Sequence, residues 1–340
     1  MSTVGVRSKI LGVGYYVPPR VVTNDDLSKL MNTSDEWITQ RSGIRQRHWV
    51  EGETSTSDLA YQACLRALDA AQVKKEEIDL LLLCTLTPDH EFPGTACFLQ
   101  QKLGLPGIPA IDVRQQCTGF IYALSIADQF IRTGTYKKAL IVGSEVHSKG
   151  LDISTRGRDV SVLFGDGAGA AVVGATQVTH TEKDPFVFST HIHSDGAFAK
   201  ELWVPGPGSA YAGARLPVAA FEAGELYPKM NGKAVFTHAV RRMPEAVKEA
   251  LEANKKKPSD IDLFIFHQAN LRINEMVAKQ LGIPEEKVFN TIDRFANTTS
   301  ATIPIGLTEA EKTGKLKPGM LVAMAAFGSG FTWGSALLRW

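Results

Sequence analysis

The chain repeats itself. The segments "DLAYQACLRALDAAQVKKEEIDLLLLCT" and "VRRMPEAVKEALEANKKKPSDIDLFIFHQ" share one pattern. Ile78-Asp79-Leu80 matches Ile261-Asp262-Leu263 at an offset of 183 residues, and the same offset pairs Ala63 with Ala246, Ala67 with Ala250 and Leu68 with Leu251. Further on, "CTGFIYALSIADQFIRTGTYKKALIV" matches "NTTSATIPIGLTEAEKTGKLKPGMLV", with Gly134 on Gly314 and Lys137 on Lys317 at an offset of 180. The first pair couples an amphipathic helix to a continuous apolar run, the mark of a strand buried on both faces. Helices share periodicity cheaply, but two matching blocks in the same order predict a duplicated α/β half.

The 340 residues allow two such halves. We place them at 1–176 and 177–340. An insertion at about 205–228, within "WVPGPGSAYAGARLPVAAFEAGELYP", is rich in Gly, Pro and Ala yet carries aromatic residues. It reads as a lid rather than a linker. Ser57 or Asp58 is expected to cap the helix of the first block, and Gly134 to close the helix after Cys117. With 37 Lys and Arg against 36 Asp and Glu, the balance argues against nucleic-acid binding by bulk charge, though not against a local basic patch. No apolar stretch reaches the roughly 18 residues that span a bilayer. There is no signal-peptide core, and Cys64, Cys84, Cys97 and Cys117 form no CxxC pair, so a reduced, cytoplasmic protein is expected.

The repeat also predicts where chemistry gathers. Cys84 corresponds to His267, and Cys117 to Asn297. Ligands of open α/β folds collect at the carboxyl ends of strands, and halves related by a pseudo-twofold would bring these ends to one seam. Cys117, in "IDVRQQCTGFIYALS", sits where a buried strand gives way to a helix. A thiol there faces the positive end of the helix dipole, which favours thiolate. Cys64, Cys84 and Cys97 each sit inside an apolar helix or strand and read as core thiols. His267 ends a strand and precedes the polar run Gln268-Ala269-Asn270, and Asn297 opens a helix. His191 and His193 form an HxH pair, but no third ligand of suitable spacing is nearby, so no metal is expected. The glycine-rich "FGDGAGAAVVG" and "AAFGSGFTWGSALL" lack the Gly-Lys-Ser/Thr ending of a phosphate loop and instead suit close backbone approach at a site.

Together "DEWITQRSGIRQRH", "CTGFIYALS", "FGDGAGAAVV", "FHQANLRI", "NTTSATIP" and "FGSGFTWGSALLRW" resemble the thiolase-fold condensing enzymes, and most closely the beta-ketoacyl-acyl-carrier-protein synthase III family, from Lys9 to Trp340. The resemblance implies an α/β thiolase-like fold: duplicated βαβαβαββ halves in a layered αβαβα arrangement. It implies a priming condensation of an acyl-coenzyme A with malonyl-acyl-carrier-protein through an acyl-cysteine. Cys117 is then the nucleophile, and neutral His267 and Asn297 are hydrogen-bond donors to the thioester. The amides of Cys117 and Gly330 form the oxyanion hole. Trp37, Arg41, Arg158, Phe236 and Asn270 fall on the coenzyme A path. Arg272 falls at the carrier-protein dock, and Phe92 is the residue that walls the acyl pocket across a homodimer. No separate cofactor is implied. The chain departs from the usual pattern at Gln115-Gln116, at "FANTT", at Ser329 and in the loop from Pro205 to Pro228, all near the pocket, so the acyl chain itself stays open.

Other readings compete. An enzyme of the same fold could pass its acyl group to another acceptor in a specialised pathway. A silent scaffold is opposed by the intact Cys117, His267 and Asn297. The order Cys, His, Asn, with 150 residues between the first two, resembles papain-type peptidases. No Cys-Gly-Ser-Cys-Trp signature surrounds Cys117, which argues against a peptidase.

Overall fold

The apolar runs form strands and the amphipathic segments pack on them. A computed structural model describes residues 5–180 and 183–340. In chain order the first half gives β1 (Gly5–Tyr16), α1 (Asp35–Ser42), α2 (Thr56–Ala71), β2 (Leu80–Cys84), α3 (Thr95–Leu103), β3 (Ala110–Val113), α4 (Gly119–Arg132), β4 (Lys138–Glu145) and β5 (Gly167–Val178). There follow β6 (Val187–Ser194), α5 (Gly232–Ala253), β7 (Leu263–Phe266), α6 (Leu271–Leu281), α7 (Thr302–Lys312), β8 (Leu321–Gly328) and β9 (Thr332–Arg339).

The five-stranded sheet runs β1-β5-β4-β2-β3 and the four-stranded sheet β6-β9-β8-β7. The orders match strand for strand, and a single parallel bridge from Phe264 to Val288 stands where the first sheet has β3. The repeat is kept in detail. Asp79 N–H donates to Lys138 O while Lys138 N–H donates to the Asp79 carboxylate. Asp262 and Leu321 exchange the same two bonds.

Side-chain alternation sorts the layers. From β2, Leu80, Leu82 and Cys84 face a central core with α4 and α7, while Leu81 and Leu83 face α2 and α3. From β7, Ile265 joins the central core, while Phe264 and Phe266 pack on α5 and α6. The result is five layers, αβαβα. Helix α7 lies in the middle one, and every residue from Thr302 to Ala310 is buried. Each apolar side chain buried there contributes roughly 1.5–3 kcal/mol, so the central layer holds the halves together. This is the thiolase-like fold that the motifs implied.

Some local expectations shift. Ser55, not Ser57 or Asp58, caps α2; Asp58 closes the capping box by accepting the Ser55 N–H. Helix α4 stops one residue before Thr133, and Gly134 supplies the left-handed residue just past it, at φ 77°. Cys64 and Cys84 are core thiols, but Cys97 is exposed because it lies on the outward face of α3. The stretch 205–228 is mostly irregular, with one short helix, Val218–Glu222. His191 and His193 do meet a third group: Glu249, arriving from α5, lies 3.2 Å and 2.6 Å from them. Among the described residues, however, no three His, Cys, Asp or Glu side chains are placed to hold a metal. No helix among them is long and apolar enough to cross a membrane.

Candidate active site

Cys117 sits in the turn Gln116–Thr118, between β3 and α4. Gln116 is left-handed at φ 39°, a conformation that costs a non-glycine residue of order 1–3 kcal/mol. Neighbouring bonds hold the turn: Thr118 N–H donates to Gln115 O, and the Thr118 and Thr332 hydroxyls lie 2.8 Å apart. Glycine lets other elements come close. A Cβ on Gly119 would stand 2.8 Å from Cys84 Cβ, and one on Gly328 would stand 2.6 Å from Cys117 Cβ and 3.0 Å from its Sγ.

The second half supplies the facing groups. His267 follows β7 and is 2% exposed. Its Nδ1 lies 2.7 Å from Thr302 Oγ1, while its Nε2 is buried with no partner. Asn297 is tied by its backbone to the first half: its N–H donates to Leu163 O, and its carbonyl accepts from Gly165 N–H. Its Oδ1 accepts the N–H of Thr299 at 2.9 Å, so the amide NH2 is the group left to point elsewhere. Ala296 and Thr299, on either side, are both left-handed, at φ 54° and 51°. Strained backbone thus brackets the asparagine as it precedes the cysteine.

Cys117, His267 and Asn297 line one cavity of about 350 Å³, together with Trp37, Arg41, Phe236, Asn270, Arg272 and Gly328. The Arg41 and Arg158 guanidiniums each lie 4.5 Å from the Trp37 ring centroid. Asn270 also braces the local backbone, since its Oδ1 caps α6 and its Nδ2 donates to Arg41 O. Phe92 does not line the cavity in the single chain and is 78% exposed.

Two expectations need correction. The second backbone N–H aimed at the sulfur belongs to Ser329, beside that of Cys117 itself, and not to Gly330. Strand β8 ends at Gly328, so Ser329 is the residue delivered to the thiol. Its hydroxyl donates to Leu202 O and fastens it there. Gly330, at φ 132°, already turns the chain towards β9. Nor does the position before α4 lower the thiol on balance. Burial, and then Glu145, push the Cys117 thiol up to about 12, against the two amides that lower it. Burial likewise pulls His267 down to about 3, so the imidazole is neutral at pH 7.

Glu145, at the end of β4, escaped the sequence reading. Its buried carboxylate accepts from Thr85 Oγ1, Thr87 Oγ1, Leu86 N–H and Ser300 Oγ at 2.8–3.1 Å. Burial raises it to about 7. His147 also approaches the seam, with Nε2 2.6 Å from Thr299 Oγ1. In strand register Glu145 is the counterpart of Gly328, since Leu80 pairs with Ala139 as Leu263 pairs with Val322, whereas the sequence match of this block at an offset of 180 sets Glu145 on Ala325.

Comparison with known proteins identifies the family. Residues 111–196 match the family model described as 3-oxoacyl-[acyl-carrier-protein] synthase III, and residues 251–340 match its C-terminal counterpart. The beta-ketoacyl-[acyl-carrier-protein] synthase III of Paramagnetospirillum magneticum is 48% identical over 335 residues, covering 98% of this chain and 99% of the relative. That of Xanthomonas campestris pv. campestris is 46% identical over 342 residues, with the same coverage. The crystal structure of 3-oxoacyl-[acyl-carrier-protein] synthase III from Aquifex aeolicus superposes with a TM-score of 0.87 at 42% identity, covering 98% of this chain and 100% of that one. On fold, sequence and coverage alike, the chain belongs to the beta-ketoacyl-acyl-carrier-protein synthase III family.

Proposed function

We propose that this enzyme catalyses the priming condensation of an acyl-coenzyme A with malonyl-acyl-carrier-protein. The observation that carries the reading is the convergence of Cys117, His267 and Asn297 on one cavity that runs to Trp37 and Arg272.

In the first half-reaction the Cys117 sulfur bonds to the acyl carbon. The carbon–sulfur bond to coenzyme A breaks, and the thiol proton passes to the departing sulfur. The amides of Cys117 and Ser329 hold the tetrahedral oxyanion. Because the free thiol keeps its proton, that proton leaves as the new bond forms. In the second half-reaction the malonyl carboxylate leaves as carbon dioxide. The electron pair becomes an enolate, whose oxygen takes hydrogen bonds from His267 and the Asn297 amide. The enolate carbon attacks the acyl carbon, the bond to Cys117 breaks, and the sulfur regains a proton from solvent.

Trp37, Arg41 and Arg158 receive the nucleotide end of coenzyme A, Phe236 and Asn270 flank the pantetheine arm, and Arg272 meets the acidic carrier protein. The enzyme acts as a homodimer in which Phe92 of each chain reaches the acyl pocket of the other. In support, Phe92 is exposed on the single chain, and Ile111 is exposed on the edge strand β3.

The test uses radiolabelled acetyl-coenzyme A with peptide mapping, then labelled carbon dioxide release from malonyl-carrier-protein. Label on Cys117 together with decarboxylation is expected. Label on another cysteine removes the nucleophile, and loading without decarboxylation removes the condensation. Asn297→Ala is expected to load normally and lose most decarboxylation; equal loss of both would contradict the division of labour.

A further inference from the structure

A neutral imidazole carries one proton, so only one of its nitrogens can donate to a thioester oxygen. In His267 the nitrogen without a partner, and hence free for a ligand, is Nε2, and the other, Nδ1, meets Thr302 Oγ1. No other hydrogen bond to Nδ1 occurs among the described residues, so Thr302 decides the tautomer.

The Thr302 hydroxyl has one proton and two acceptors in reach, Nδ1 at 2.7 Å and Thr299 O at 3.0 Å. The carbonyl already accepts the backbone N–H of Thr302. If the proton goes to Thr299 O, Nδ1–H donates to Thr302 Oγ1 and Nε2 is left bare; if it goes to Nδ1, that nitrogen accepts and the ring proton sits on Nε2. Only the second arrangement lets His267 donate to the thioester oxygen from its free nitrogen.

We propose that Thr302 is a positioning residue: its hydroxyl donates to Nδ1 of His267 and so keeps the imidazole proton on Nε2, the nitrogen left free for substrate. Burial of His267 makes this choice matter, because the neutral ring has no second proton to offer. The same turn sets the other donor. Thr299 N–H holds Asn297 Oδ1, which turns the asparagine NH2 away from that side. One turn, Thr299 to Thr302, thus fixes the orientation of both donors. The inference rests on His267 donating in the second half-reaction.

The tautomer is read directly by 15N NMR of protein labelled at histidine, with His267 assigned by the signal lost in His267→Asn. Wild type is expected to show protonated Nε2 and bare Nδ1; the reverse pattern overturns the proposal without any variant. Thr302→Val is expected to move the proton towards Nδ1 and to slow decarboxylation by the preloaded enzyme about tenfold to a hundredfold. Its acyl loading of Cys117 should continue, which also reports that the variant is folded. Thr302→Ser should restore both the spectrum and the rate. His267→Ala separates the two layers of the reading. If it decarboxylates at the wild-type rate, the donor assignment fails. If it is impaired while Thr302→Val is not, the Thr302 proposal alone fails.

Discussion

Replacing Gly328 by alanine adds one methyl group against the reacting sulfur. Its carbon would stand 2.6 Å from Cys117 Cβ and 3.0 Å from Sγ. Carbon contacts settle near 3.5–4.0 Å, so about 1 Å must be found. Neither side yields easily: Cys117 sits in a turn held by Thr118 and begun by left-handed Gln116, and Gly328 is paired with Thr332 at the end of β8. Overpacking of this kind costs about 1–3 kcal/mol of stability. The kinetic effect is larger, since a displacement near 1 Å can cost about a hundredfold in rate. Single-turnover loading of Cys117, followed by intact mass, measures the rate, and thermal unfolding measures the cost in stability. Gly150→Ala is the control, because a Cβ there meets nothing within 4 Å. If Gly328→Ala loads at the wild-type rate, the close approach of β8 to the sulfur does not govern reactivity.

Glu145→Gln tests the buried carboxylate through pH. Its folded value is raised from 4.5 to about 7, so between these limits the folded chain keeps a proton that the unfolded chain has released. Wild type should therefore lose stability relative to Glu145→Gln as pH rises from about 4.5 to 7; a constant gap in denaturant midpoints across that range would refute it. Because ionised Glu145 opposes ionisation of Cys117, alkylation of Cys117 by iodoacetamide should also begin at lower pH in Glu145→Gln. Trp37→Ala removes the ring that Arg41 and Arg158 approach, and it should raise KM for acyl-coenzyme A severalfold while leaving kcat close to wild type. An unchanged KM would place the nucleotide elsewhere.

The elements with strong periodicity were readable in advance, and so was their duplication. Ile78-Asp79-Leu80 and Ile261-Asp262-Leu263 not only match in letters but make the same backbone bonds. Cys117 and His267 could be picked out because each follows a strand and opens a polar turn, and Asn297 because the repeat pairs it with Cys117. What escaped was decided by single-residue register in such turns. Ser329 rather than Gly330 meets the sulfur because β8 stops at Gly328 and not one residue later. Ser55 rather than Ser57 caps α2 because Asp58 reaches back to it. Glu145 ends the buried strand β4, and only its four donors from Thr85, Leu86, Thr87 and Ser300 show why a carboxylate is tolerated there.

Cys117 and Asn297 hold the same place in the two copies of the repeat, and so do Gly328 and Glu145. A pair of identical copies could not have matched a thiol on one side of the seam with an amide on the other. It would have carried two thiols, each without its donors, or two amides with nothing to attack. Joining both copies in one gene removes that constraint, because each can then change without dragging the other along. Turnover here depends on the lineage having broken its own symmetry.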